Sequence, residues 1–399
     1  MAVKKLTAEE LLAACDEPSQ EWGIRISSVL EPLAGAGAPV KPAVYVGGRY
    51  QQDRRWWGEG DQRRPVDVIV IDNVPSQANR IEAELQRLRS ELRLPEFVLD
   101  LSSERALPPH LPRRLSSFKF PHRQADAYLR DAMLDGEAFT KTEIGKALFS
   151  ATADDAEPIL RWFPQALLFG FWQSHLGKKR SQAKLARAWV SEIVGYEPAT
   201  SDTKALGLKG DPLNLSVNDP VIYDEGDLLS GWEYVTAGSK KGGSKQKESL
   251  SEIGHGQVPA GGSPSGVSFA AIEQQATVSF AALRRVRLAD AKGEAAARAT
   301  LVALGLVGHI AAFDRSFSLR SGCELRPAQK RWTWLGSHGD EDLELPDLEQ
   351  ATVLFKACCK LAESAGLPVG SAWPETSIVL APNKELANVI AASWPLEEL

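Results

Sequence analysis

The sequence predicts an α+β fold with an antiparallel sheet and inserted loops, on three observations. Gly23–Leu30 places Ile24, Ile26, Ser28 and Leu30 at every second position, the period of a half-buried strand. Val66–Ile71 is nearly all apolar, as a central strand is, and runs into an amphipathic helix from about Ser76 to Arg93. Glu294–Phe313 reads as a second, largely buried helix, preceded by a strand at Thr277–Leu288. Strands and helices mixed in this order, without a solenoid period, are an α+β arrangement.

The remaining elements follow in chain order. A Gly/Pro loop, PLAGAGAPVKP, leads from the first strand into a hairpin or excursion at VYVGGRYQQDRRWWGEGDQRR. In the Ser76–Arg93 helix, Ile81, Leu85, Leu88 and Leu92 form one stripe and Pro95 ends it; Phe97–Leu101 is the next strand. Leu107–Arg123 is a Pro-rich basic loop, and helices are expected near Gln124–Leu134, Thr142–Leu148 and Gln182–Val194. Ala237–Gly266, rich in Gly and Lys with hardly any apolar side chain, cannot bury a core and is expected to be mobile. Phe317–Arg326 and Arg331–Leu335 are expected to pair as a hairpin, and Leu348–Ala365 and Lys384–Ala392 to be terminal helices.

Charge first argues against nucleic acid. The 399 residues carry 46 Lys plus Arg against 52 Asp plus Glu, a net −6. The acid is concentrated at the end: Gly336–Leu399 holds eleven acidic and three basic residues, leaving the body slightly positive. Basic clusters lie at Lys41–Arg64, His110–Arg130 and Gln173–Val190, interleaved with Tyr45, Tyr50, Trp56, Trp57, Phe118, Phe120 and Trp189. Cations for phosphates and rings for bases suit a single-stranded nucleic acid, although solvated loops give the same composition. The acidic tail, densest at Asp340–Glu349, is expected to meet a neighbouring copy's basic face.

Catalytic and metal motifs are scarce. Four scattered cysteines (Cys15, Cys323, Cys358, Cys359) make no framework, and a reduced cytoplasmic setting is expected, without a signal peptide or membrane span. Six dispersed histidines show no zinc spacing, so no metal or cofactor is expected. Alternation puts Asp67 and Asp72 on opposite strand faces, against a metal pair. LLFGFW at Leu167–Trp172 lacks the leading cation of an RNA-binding aromatic strand and reads as core. The strongest local signal is VIDNVPSQANRIE at Val70–Glu82, where a strand turns into a helix start bearing Ser76, Gln77, Asn79 and Arg80. Helix N-terminal amides accept phosphate, and these side chains can reinforce that; plain capping by Asn73 or Ser76, with Arg80 paired to Glu84, is the simpler alternative.

The runs LEPLAG (Leu30–Gly35), YVGGR (Tyr45–Arg49) and DNVPSQANRIE (Asp72–Glu82) resemble the backbone subunit of type I-G (earlier I-U) CRISPR Cascade complexes, in the RAMP superfamily. PHRQADAYLRD (Pro121–Asp131), LLFGFWQSH (Leu167–His175), AKLARAWVSEIVG (Ala183–Gly195) and LRSGC (Leu319–Cys323) extend the resemblance over most of the body. It implies a ferredoxin-like or RRM-like palm over about 22–335, with an inserted finger region at about 102–225 and a flexible thumb-like loop at about 236–266. An acidic C-terminal helical extension, 336–399, would follow. The resemblance further implies a non-catalytic subunit that stacks head-to-tail along a guide CRISPR RNA, meets target DNA through the guide, and assembles with a large subunit and a guide-processing subunit. Ser76, Gln77, Asn79, Arg80 and Arg49 are the implied guide contacts; local charge adds Arg54, Arg55, Arg123, Lys178, Lys179 and Arg180. Two other readings stand beside it: a metal-dependent RNase using a loop carboxylate such as Asp202, Asp211 or Asp224, and a stand-alone single-stranded RNA-binding protein.

Overall fold

One eight-stranded sheet organises the computed structural model, which describes residues 3–108, 110–173, 183–199, 213, 220–223, 232–234, 246–250, 253–255, 266–291 and 293–393. In chain order the elements that matter are α1 (Ala8–Cys15), β1 (Gly23–Pro32), β2 (Gln52–Trp57), β3 (Arg64–Asp72) and α2 (Val74–Arg87). They are followed by β4 (Trp189–Ala199), β5 (Ser268–Ser279), α3 (Glu294–Phe313), β6 (Phe317–Arg320), β7 (Cys323–Gly336), β8 (Gly339–Leu343) and α4 (Leu348–Ser364). The spatial order is β6-β7-β1-β5-β4-β3-β2, with β8 also on β7, and all neighbours are antiparallel. Within it, β1-α2-β4-β5-α3-β7 is a β-α-β-β-α-β unit whose strands lie as fourth, first, third, second. That is the ferredoxin-like arrangement, so the expected α+β palm is present.

Alternation gives the sheet its two faces. Ile24, Val278 and Trp334 lie side by side in register and are buried under the helices. Helix α3 approaches closely because two of its contact positions are glycines. A Cβ on Gly305 would stand 2.5 Å from the Trp189 ring, and one on Gly308 2.5 Å from Ile81 of α2. By length and composition α3 could cross a membrane, but its apolar window is entirely buried inside the protein, where it is the central core helix.

The helix-side core is not continuous. Along β1, β4 and β5 a polar row (Ser28, Ser191, Gln274) separates two apolar clusters. Ile26, Trp189 and Ala276 belong to the larger cluster, and Leu30, Ile193 and Ile272 to the smaller.

Between α2 and β4 the chain makes a second sheet. Arg114–Ser116, Phe97–Asp100, Ile378–Pro382, Ala132–Leu134 and Glu137–Ala138 lie in that order, with Ile378–Pro382 parallel to Phe97–Asp100. The residues after 336 are therefore no separate helical extension. β8 completes the palm sheet, α4 packs on α3, and Ile378–Pro382 is built into the inserted sheet. Three tail acids are spent within the chain: Asp340 on Arg25 (3.2 Å), Glu341 on Lys4 (3.3 Å) and Asp342 on Arg331 (2.7 Å).

The chain divides into two compact units. The larger holds Met1–Ala43, Tyr50–Ala199 and Val267–Leu399. The smaller holds Val44–Arg49 and Thr200–Gly266; in it Gly47 and Gly48 turn a hairpin with positive φ, and Pro220–Tyr223 pairs with Trp232–Tyr234 and Gln246–Ser249. Most of the expected mobile loop 237–266 lies outside the described residues.

Several expected elements are corrected. The helix expected at Gln182–Val194 is strand: Lys184–Leu185, then β4, laddered on both sides by β5 and β3. Ala, Lys and Arg favour helix locally, but two neighbouring strands outweigh that preference. The strand expected at Thr277–Leu288 ends at Ser279, whose hydroxyl caps the short helix Phe280–Leu283. Gln124–Leu134 breaks into short turns and a strand, Ala132–Leu134. The hairpin turns at Gly322 (φ 78°), so Cys323–Gly336 is one long strand. The expected Ser76–Arg93 helix is α2 plus Arg89–Leu92, stopped by left-handed Arg93.

Candidate nucleic-acid interface

The strand-to-helix turn after β3 is a carboxylate hub. Asp72 is the last residue of β3, and its side chain is fully buried. It accepts from Ser76 Oγ (2.8 Å), Gln77 Nε2 (2.5 Å), Arg80 Nε (2.9 Å) and Arg320 Nη2 (3.1 Å). Asn73 caps α2 by accepting from the Ser76 amide at 3.1 Å. The Gln77 carbonyl oxygen accepts from Ser191 Oγ (2.9 Å) and Gln274 Nε2 (2.8 Å). It thereby ties the polar row across β4 and β5 to the helix. Arg80 and Arg320 also donate to the carbonyls of Leu319 (3.0 Å) and Lys41 (3.1 Å).

This geometry changes the role of the S-Q-A-N-R run. Gln77 is 0% exposed and its amide is committed on both ends, so it is a core bridge and not a guide contact. Ser76 and Arg80 are held by Asp72, and Arg80 pairs with that residue instead of Glu84. Asn79, on the other side of the helix, is exposed. Two guanidiniums on one carboxylate leave a net positive edge, with the Arg80 and Arg320 side chains 28% and 24% exposed. Neither Asp72 nor Arg320 was among the expected contacts; the signals available were the strand-end acid and the L-R-S-G-C run.

The other expected cations are dispersed. Arg54 is exposed on the edge strand β2, 3.9 Å from Asp67. Its neighbour Arg55 turns to the opposite face, hydrogen-bonded to Glu192 and, at 3.1 Å, to Asp53; the Glu192 bond above all raises its pKa. Trp56 is exposed with the Arg63 guanidinium 6.0 Å from its ring centroid. Trp57 donates to Glu273 at 3.0 Å and stacks on Tyr196. Arg49 is exposed in the smaller unit's hairpin.

Arg123 is corrected from ligand contact to internal clamp. It donates twice to buried Glu82 at 2.8 Å and once to the Gly170 carbonyl at 3.1 Å. Burial pushes the Glu82 carboxyl pKa up, and the Arg123 charge opposes this. Lys178, Lys179 and Arg180, and the alternative carboxylates Asp202, Asp211 and Asp224, lie outside the described residues. Among the described residues no group of three His, Cys, Asp or Glu side chains could hold a metal ion.

Fold and site together define a ferredoxin-like α+β protein with a cationic helix start and basic–aromatic edges. Over residues 24–199, from β1 to the end of β4, the chain matches the family described as CRISPR-associated protein GSU0053 (Cas_GSU0053). The match includes Asp72, Ser76, Gln77 and Arg80 of the hub, but not Arg320, and the inserted sheet's first strands. No curated protein matches the chain.

Proposed function

We propose that this protein is a non-catalytic, cytoplasmic RNA-binding backbone subunit of a type I-G Cascade effector. In this role it polymerises along the guide RNA, supports RNA-guided recognition of target DNA, and joins the large and guide-processing subunits. The observation that carries the reading is the CRISPR-associated family match over 24–199, laid on a ferredoxin-like palm. Such a subunit grips phosphate and shape and leaves sequence to base pairing, so exposed cations matter more than base-specific contacts. Arg54, Asn79 and Arg49 are exposed and available for this, and the Arg80–Arg320 edge adds partly exposed positive charge.

The test is electron microscopy of the protein assembled with a CRISPR RNA. A crescent or filament of repeated subunits is expected; a monomer on RNA would favour the stand-alone RNA-binding reading and overturn this one. Arg54→Ala should weaken binding to all RNA sequences alike and lower the log–log salt slope by about 0.7. Complementary RNA incubated with the assembly and Mg²⁺ should stay intact; cleavage abolished by a single Asp→Ala change would establish an enzyme instead.

A further inference from the structure

The Phe171–Trp172 strand pairs with Lys184–Leu185, and this small ribbon carries a large aromatic into solvent: Trp172 is 57% exposed. The ribbon is rigidly seated. Phe171 and Leu185 are buried in the core, and the Gln173 amide donates to the Ala183 carbonyl at 2.8 Å. Gly170 has φ 77°, and a Cβ there would lie 2.8 Å from the Leu185 carbonyl oxygen. An exposed tryptophan on a loose loop needs no explanation; one pinned at both ends beside a groove does.

That groove, of about 570 Å³, is bordered by Trp172, Lys184, Arg187, Val190, Val74 and Pro121. Among the described residues no carboxylate lines it, in a chain whose net charge is −6. Lys184 and Arg187 are exposed and make no ion pair among the described residues; the Lys184 ammonium stands 6.0 Å from the Trp172 ring centroid. Arg123, a further guanidinium at the wall, is neutralised by Glu82. A flat ring, two uncommitted cations and an apolar floor match one unpaired nucleotide, base on ring and phosphate on cations.

We propose that this groove is a single-nucleotide shelf: one unpaired RNA base stacks on Trp172 while Lys184 and Arg187 hold its flanking phosphates. The inference rests on the RNA-binding reading above and adds a site outside the helix-start cluster. It is tested with the full chain and a single-stranded RNA bearing one halogenated uridine. Irradiation should join the RNA to the peptide containing Trp172, as read by mass spectrometry. Trp172→Ala should weaken RNA binding about tenfold, and Trp172→Phe should restore most of it. The double variant Lys184→Ala/Arg187→Ala should lower the salt slope without abolishing the crosslink. Since Trp172 is exposed, unchanged thermal melting will show that these variants are folded. Unchanged affinity in Trp172→Ala with no crosslink there overturns the shelf while leaving RNA binding intact. Loss of self-assembly in that variant at unchanged RNA affinity overturns it in favour of a protein contact. Absence of RNA binding by the wild-type chain overturns the parent reading and the shelf with it.

Discussion

Gln77 shows how one side chain can look like a ligand contact and serve as a keystone. Its amide spans from the Asp72 carboxylate to Ser191 and Gln274, filling a polar seam that would otherwise hold unsatisfied groups between two apolar clusters. Gln77→Ala should therefore cost about 1–3 kcal/mol in urea denaturation. Asp72→Ala, which strips the carboxylate from two guanidiniums, should cost about 3 kcal/mol. Asn79→Ala, at the exposed side of the same turn, should stay within about 0.5 kcal/mol of wild type. Equal effects at positions 77 and 79 would refute the keystone role. The residue types around this turn were legible in the sequence; which of them point inward was not, because that depends on where β4 and β5 lie.

Helix α3 raises the same question for a whole element. Its His309 is buried against Trp189 and Phe313, and burial, reinforced by the Lys330 charge, pushes its pKa down to about 3. The unfolded chain takes up a proton near pH 6.5 that the folded chain refuses. Stability from this group is thus intact above pH 6.5 and declines as pH falls from there toward about 3. His309→Leu should flatten the melting temperature across that window; an unchanged pH dependence would show that other groups control acid unfolding. The helix was predictable from its apolar run, whereas β4 was read as helix. Ala183–Ala188 has helical composition, and only the ladders to β5 and β3 make Trp189–Ala199 a strand.

For the whole molecule, the acidic strand β8 is part of the palm and not an appendage. Asp340, Glu341 and Asp342 ride on β8 and face Arg25, Lys4 and Arg331 of the same chain. Exposed pairs of this kind contribute about 0–1 kcal/mol each and are screened by salt. Replacing the three acids by Asn, Gln and Asn should leave folding and RNA-dependent assembly intact in sedimentation at moderate salt. Loss of assembly would restore the idea that this segment meets a neighbouring subunit.

The sequence by itself determined the element classes along the first strand, β3, α2, α3 and α4, and the segregation of acid from base. Those are local properties: periodicity, capping and composition are written within a dozen residues. The tertiary structure alone decided the strand order that makes a ferredoxin-like palm, the burial of Gln77 and the pairing of Arg123 with Glu82. It also decided the exposure of Trp172 and the incorporation of Ile378–Pro382 into a distant sheet. Each brings together residues tens to hundreds of positions apart, and no local pattern records which partner will satisfy a buried amide or which ring will be left in water.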